Sequence, residues 1–337
     1  MRHNKKIQQL KINSIFVDID TETSNIKKHS YILVDKRVLH TGDKLNFSLY
    51  MPNEKTHMSL YLQSDTVIDS KQKERLENIE QLFVPKAQRA KYDMFLEEHI
   101  QHILDEESLT MDEKTDIIYK STTELTESLY KNPNALKNVA RSEKIVKPIL
   151  QSILYHADTI SSYIKIIEHD YYTHTHSLNV SVYTLCLGAE LGLSEGKLNT
   201  LGRAALLHDL GKSKIDYDIV NKEGKLTDLE FEKMKKHPIF GYEIALNLGI
   251  HDKDTLDGIR HHHEKLDGLG YPDNLQDNEI TLFPRIIGVC DVFDALTTKR
   301  SYKDPMSSYE ALNIMKTHMS THLDMSIVNS FIKMLHS

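Results

Sequence analysis

The stretch from Arg260 to Pro272, RHHHEKLDGLGYP, constrains this chain more than any other. Three adjacent imidazoles and a carboxylate, followed by turn-formers, suit a metal site better than a surface loop, and a metal site needs ligands from several elements. The rest of the chain must therefore bring further ligands to this stretch. They stand upstream as HSLNV (His176 to Val180), HDLGK (His208 to Lys212) and KKHP (Lys235 to Pro238), and downstream as DVFDALTTKRSY (Asp291 to Tyr302).

Helical spacing aims these groups inward. Val180, Tyr183 and Leu187 follow His176 on one face and Leu178, Val182, Leu185 and Ala189 fill another, so the helix is apolar nearly all round and belongs in a domain centre. Leu198, Leu201, Ala205 and His208 share a stripe. Asp209 is turned about 100° from His208, and its two oxygens suit a bridge between two metal ions. Gly211 lets the backbone turn, and Lys212 projects a cation into the same space. Thr227 and Glu230 form a capping box for a helix running towards His237, which Pro238 restrains. His262 and His263 follow Ile259 at helical spacing and face inward, whereas His261 falls on the surface side. Gly268 and Gly270 are free to take positive φ, and Pro272 stiffens the exit. Asp291 and Asp294 share one face of an otherwise apolar helix with Ile286, Val289, Phe293 and Leu296. Buried carboxylates need compensation, which assigns Asp291 to metal and Asp294 to substrate or to Lys212.

Each of these residues alone has an ordinary reading, such as a core histidine bonded to a carbonyl. The chain holds 19 histidines, so their number decides nothing. Jointly, His176, His208, Asp209, His237, His262, His263 and Asp291 supply a set of seven ligands. Mixed imidazole and carboxylate ligands suit iron, manganese or zinc.

The five blocks, in this order, resemble the HD-GYP family of cyclic-dinucleotide phosphodiesterases over about residues 161 to 337. The resemblance implies an all-α domain with two divalent metal ions, iron or manganese, that hydrolyses cyclic di-GMP to pGpG, with GMP as a further product. Asp209 and Lys212 then carry catalysis, Lys212 stabilising charge on phosphate, and DGLGYP forms a lid with Tyr271 over substrate. Arg300 and Lys303 bind a second phosphate or a guanine edge. Ser301 stands where the family usually has proline. Tyr172 stands where some members place a glutamate one turn before the first histidine, and a neutral phenol there argues for two ions and not three. Another HD-type nucleotide phosphohydrolase has no need of Gly270, Tyr271 and Pro272. A cyclic-dinucleotide receptor or adaptor would be expected to have lost ligands.

The remainder reads as a small α+β module over residues 1–105 and a helical connector over 106–160, ahead of the HD-GYP domain at 161–337. Alternation at Ile15, Val17 and Ile19, the runs YILVD, FSLYM, MSLYL and LFV, and turns at Thr41 to Lys44 and Pro52 to Lys55 mark strands. Helices are expected from Lys71 to Gln81 and from near Ala87, and the module is assigned a regulatory role. Residues 106–160 read as long helices broken at Pro133; a homodimer stalk and packing on the next domain both stay open. The net charge of -7 argues against a nucleic-acid polymer or an anionic membrane. No run of apolar residues has the length of a signal core or a membrane span, and Cys186 and Cys290 lack thiolate-site spacing. These features point to a cytoplasmic protein; a signalling protein partner is a separate expectation, tied to the regulatory module.

Overall fold

A computed structural model describes residues 30–53, 58–131, 137–156, 159–169, 175–298 and 305–336. The chain divides after Ser108 into two units.

In the first unit, short runs rich in β-branched and aromatic residues form β1 (Tyr31–Val34), β2 (Leu49–Pro52), β3 (Met58–Leu62) and β4 (Leu82–Pro85). They pair antiparallel in the order β1-β4-β2-β3, with Ile32 opposite Val84 and Met51 opposite Ser59. Helix α1 (Ser70–Glu77) starts at a capping box made by Asp69 and Gln72. Helices α2 (Arg89–Glu98) and α3 (Ile100–Asp105) follow β4. The core is aromatic: Phe47 meets the rings of Tyr92 and Phe95 edge-on at 5.2 and 5.4 Å. Gly42 takes φ +97° in the turn at Thr41 to Lys44. The alternation at Ile15, Val17 and Ile19 lies outside the described residues.

All regular elements described in the second unit are helical. They are α4 (Met111–Lys131), α5 (Lys137–Tyr155), α6 (Thr159–His169), α7 (His176–Glu190), α8 (Glu195–Leu207), α9 (Tyr217–Val220), α10 (Asp228–Met234), α11 (His237–Asn247), α12 (Lys253–His261), α13 (Leu282–Thr297), α14 (Ser308–His318) and α15 (Met325–Leu335). Helix α7 is buried from Ser177 to Gly188, as its all-round apolar pattern demands, and packs against α5, α8, α13 and α15. Tyr183, Phe293 and Phe331 from three of these helices meet edge-on, with ring centroids 4.9 to 5.8 Å apart. Capping boxes at Thr227 and Ser307 open α10 and α14.

Helices α4 and α5, within the stretch expected as a connector, pack on this unit. Leu129 joins the core of Leu207, Leu210, Ile244 and Ile259, and the Tyr130 hydroxyl lies 2.7 Å from Ser177 Oγ and 2.9 Å from the Leu206 carbonyl. The break around Pro133 lies outside the described residues. Among those described, no helix is long and apolar enough to cross a membrane. Cys186 and Cys290 are buried free thiols.

Candidate metal centre

Two glycines allow the backbone approaches on which the centre depends. A Cβ on Gly211 would stand 1.9 Å from the His237 carbonyl oxygen and 2.4 Å from the Gly241 nitrogen. The turn at Leu210–Lys214 therefore presses directly on α11, holding His208 and Asp209 beside His237. Gly211 lies in that turn without positive φ, and its lack of a side chain also serves the close approach to α11. Gly270, expected to use positive φ, instead serves close approach, since its Cβ would stand 2.4 Å from Glu264 Cα, whereas Gly268 does take φ +75°. The loop is also pinned by Glu264, which accepts from the Asp273 and Leu275 amides at 2.7 and 3.0 Å. The Tyr271–Pro272 peptide is cis.

Three of the histidines share one orienting device. Nδ1 of His208, His237 and His262 donates to the carbonyl three residues earlier, of Ala205, Met234 and Ile259, at 2.6 to 2.8 Å. A carbonyl oxygen only accepts, so Nδ1 carries the proton and Nε2 of the neutral ring presents a lone pair. The Nε2 atoms of His237 and His262 lie 3.2 Å apart, lone pair towards lone pair. His208 Nε2 and Asp209 Oδ1 are buried without a hydrogen-bond partner. Burial lowers the pKa of His237 to about 3 and of His263 to about 4, and depresses His208 and His262 as well. Convergent lone pairs on neutral, buried rings call for a cation, and the donor set fits a divalent metal.

His176 is held differently. Its Nδ1 donates to Asp294 Oδ2 at 2.6 Å, and its Nε2 lies 3.1 Å from Asp291 Oδ1. Burial opposes a charge on this ring, but the bonds to Asp291 and Asp294 prevail and raise its pKa to about 10. Asp294, expected at substrate or beside Lys212, is instead fully buried; it accepts from His176, from Asn179 Nδ2 at 2.9 Å and from Thr298 Oγ1 at 3.0 Å. It holds His176 from behind, as carboxylates commonly do for metal-bound histidines. The sequence does carry a signal for this arrangement, in the lone amide Asn179 within an apolar helix.

Asp209 joins two groups of ligands. Its Oδ2 lies 3.4 Å from His208 Nε2 and 3.5 Å from His176 Nε2, while its Oδ1 lies 3.3 Å from His237 Nε2. One group comprises Asp209, His237, His262 and His263, the other His176, His208 and Asp291, and within each a set of ligand atoms falls within 4.8 Å. Burial opposes the charge on Asp209, but Lys212 and the surrounding histidines hold its pKa well below the usual carboxylate range. Lys212 Nζ is 2.5 Å from Asp209 Oδ2.

The Tyr271 ring leans on His263, with centroids 4.7 Å apart, and faces His237 at 6.4 Å. His261 is not a solvated surface residue: it joins Asp257 at 2.6 Å to Asp273 at 2.8 Å, and Asp273 also accepts from Arg260. The position of Asp257, four residues before His261 on one helix, was the available hint. Arg300, Ser301, Lys303 and Tyr172 lie outside the described residues.

The family model described as HD domain matches residues 144–327. The chain belongs to the HD-domain family. Within that HD domain lie the HD-GYP blocks that carry the candidate ligands just described. The chain is 35% identical over 196 residues to a cyclic di-GMP phosphodiesterase of Pseudomonas aeruginosa, PA4108, covering 58% of this chain and 47% of that protein. It is 34% identical over 239 residues to the 3'3'-cGAMP-specific phosphodiesterase 3 of Vibrio cholerae, covering 68% of this chain and 50% of the relative. The chain thus spans about half the length of these curated relatives. The fold is shared with Bd1817, a HDG"Y"P protein from Bdellovibrio bacteriovorus, at a TM-score of 0.64 and 20% identity, over 91% of this chain and all of that one.

Proposed function

We propose that the HD domain hydrolyses a cyclic dinucleotide, cyclic di-GMP, to linear pGpG, using two divalent ions, iron or manganese. The observation that carries this reading is Asp209, whose two oxygens lie towards separate sets of imidazoles. His176, His208 and Asp291 would hold one ion and His237, His262 and His263 the other, with Asp209 between them. A pair of divalent ions supplies Lewis acidity at the phosphodiester and makes a water nucleophilic near neutral pH.

The chain's own groups do the rest. Nδ1 bonds to Ala205, Met234 and Ile259 hold three imidazoles with Nε2 directed inward, and Asp294 does the same for His176. Lys212 sits where it can leave Asp209 for a phosphate oxygen and stabilise charge developing there. Tyr271 contributes a ring against which the nucleotide packs, on a loop fixed by Glu264. Arg300 and Lys303 are assigned to the second phosphate or a guanine edge.

In this reading residues 1–105 are a regulatory module, 106–160 helices that precede the catalytic domain, and 161–337 the phosphodiesterase. The protein acts in the cytoplasm on a second messenger, under the control of a signalling partner. A second substrate, 3'3'-cGAMP, is favoured by the Vibrio cholerae relative, which aligns over 68% of this chain. The test is to incubate metal-loaded protein with each dinucleotide and separate the products by chromatography. Linear pGpG from cyclic di-GMP is the expected result. Binding without linear product would make the protein a receptor, and cleavage of 3'3'-cGAMP alone would reassign the substrate.

A further inference from the structure

A second convergence of imidazoles and a carboxylate lies wholly within the first unit, apart from every residue given a role above. His40 and Asp43 come from the turn after β1, and His99 and His102 from the junction of α2 and α3 and from α3 itself. His40, Asp43 and His102 each offer a ligand atom, and these atoms fall within 4.8 Å of one another.

The hydrogen bonds around the cluster decide which atoms are available. His40 Nε2 lies 3.1 Å from Glu106 Oε2. An ionised carboxylate only accepts, so Nε2 donates and the neutral ring keeps its lone pair on Nδ1. That Nδ1 is shielded from solvent, has no hydrogen-bond partner, and stands 3.9 Å from Asp43 Oδ2. His99 repeats the device seen in the HD domain: Nδ1 bonds the Phe95 carbonyl at 2.7 Å, which leaves the Nε2 lone pair 3.3 Å from Asp43 Oδ1. The ring of His99 is further fixed by stacking on Phe95 at 4.0 Å. Asp43 is only 6% exposed, and its Oδ2 accepts the His40 amide at 2.7 Å. A buried carboxylate is thus faced from two sides by nitrogen lone pairs. One cation among His40, Asp43 and His102 would answer both the unpartnered His40 Nδ1 and the charge on Asp43.

We propose that the first unit binds a divalent transition ion of the zinc type through His40, Asp43 and His102, with Glu106 orienting His40 and His99 buttressing Asp43. Two imidazoles and one carboxylate, with a water in the fourth position, make an ordinary three-protein-ligand zinc donor set. No cysteine occurs in this unit, so thiolate-selective ions have no partner there. The ion would tie the turn after β1 to α3, linking two parts of the unit that are distant in sequence.

Hydrogen–deuterium exchange of the full-length protein, first stripped with chelator, tests this with zinc as the probe. Adding excess zinc is expected to slow exchange in peptides spanning residues 36–47 and 95–106, both in the unaltered chain and in Asp209→Ala. The double variant His40→Ala/His102→Ala should show no slowing there and should bind one zinc equivalent fewer by equilibrium dialysis. Unchanged exchange in those peptides of the unaltered chain overturns the proposal, and so does protection that survives in the double variant. If the double variant fails to fold, His102→Gln, a change at an exposed side chain, takes its place, and zinc protection as strong as in the unaltered chain would equally overturn the site.

Discussion

His237 Nε2 and His262 Nε2 lie 3.2 Å apart while both Nδ1 atoms are bonded to main-chain carbonyls. Two lone pairs directed at each other inside a protein are unfavourable unless a positive charge lies between them or nearby. These rings are disposed towards neutrality by burial, and a cation bound between them would supply that charge.

Stripped of metal, the protein should lose stability towards both ends of the pH scale. An unfolded histidine titrates near 6.5, but folded His237 and His263 do so at about 3 and about 4. Between pH 6.5 and 4 the unfolded chain binds more protons, so stability falls as pH falls, by up to about 1.4 kcal/mol per unit for each such ring. His176 acts in the opposite sense. Its folded pKa of about 10 contributes stability that is complete below pH 6.5 and is lost as pH rises through 10. Urea unfolding of chelator-treated protein from pH 4.5 to 10.5 measures this, and a flat profile would contradict it.

Asp209→Ala should abolish hydrolysis and leave the HD domain unable to hold both ions. Lys212→Ala should slow turnover by on the order of 100-fold while the metal content stays unchanged. Metal analysis alongside initial rates separates the two, and loss of metal in Lys212→Ala would show that the lysine supports the ligands instead of the substrate.

Asp294→Asn preserves shape and the contact with Thr298 but weakens the hold on His176. We expect metal affinity or turnover to drop by about 10- to 100-fold, with one ion weakened more than the other. Stepwise release under a chelator checks this; equal retention of both ions would return Asp294 to a purely structural role.

Gly211→Ala should disrupt the centre, because the new methyl would collide with the His237 carbonyl, and backbone must move. Gly196→Ala, in α8 with nothing within 4 Å of the added methyl, should be neutral or slightly stabilising. Thermal melting and metal content of the pair decide it: an intact centre in Gly211→Ala would mean the contact between the turn and α11 is dispensable.

Helical spacing was enough to read α7 as a buried helix and to bring His208, His262, His263 and Asp291 to its neighbourhood, because periodicity reports directly on which side of a helix is buried. It was not enough for Asp294. Periodicity places Asp291 and Asp294 on one face but says nothing of depth, and the three-residue step from one to the other takes Asp294 nearly a turn further, under His176. Gly270 was misread for a related reason: a glycine in sequence looks the same whether it frees a dihedral or admits a neighbouring backbone. The cluster around His40 is built from residues some 60 positions apart in an α+β unit, and no motif marks it.

Anomalous diffraction at the iron or manganese edge from crystals of the metal-loaded protein tests the central claim most directly. Two peaks are predicted in the HD domain, one on each side of the Asp209 carboxylate, the first among His176, His208 and Asp291 and the second among His237, His262 and His263. A single peak, or a third one beside Tyr172, would contradict the two-ion centre.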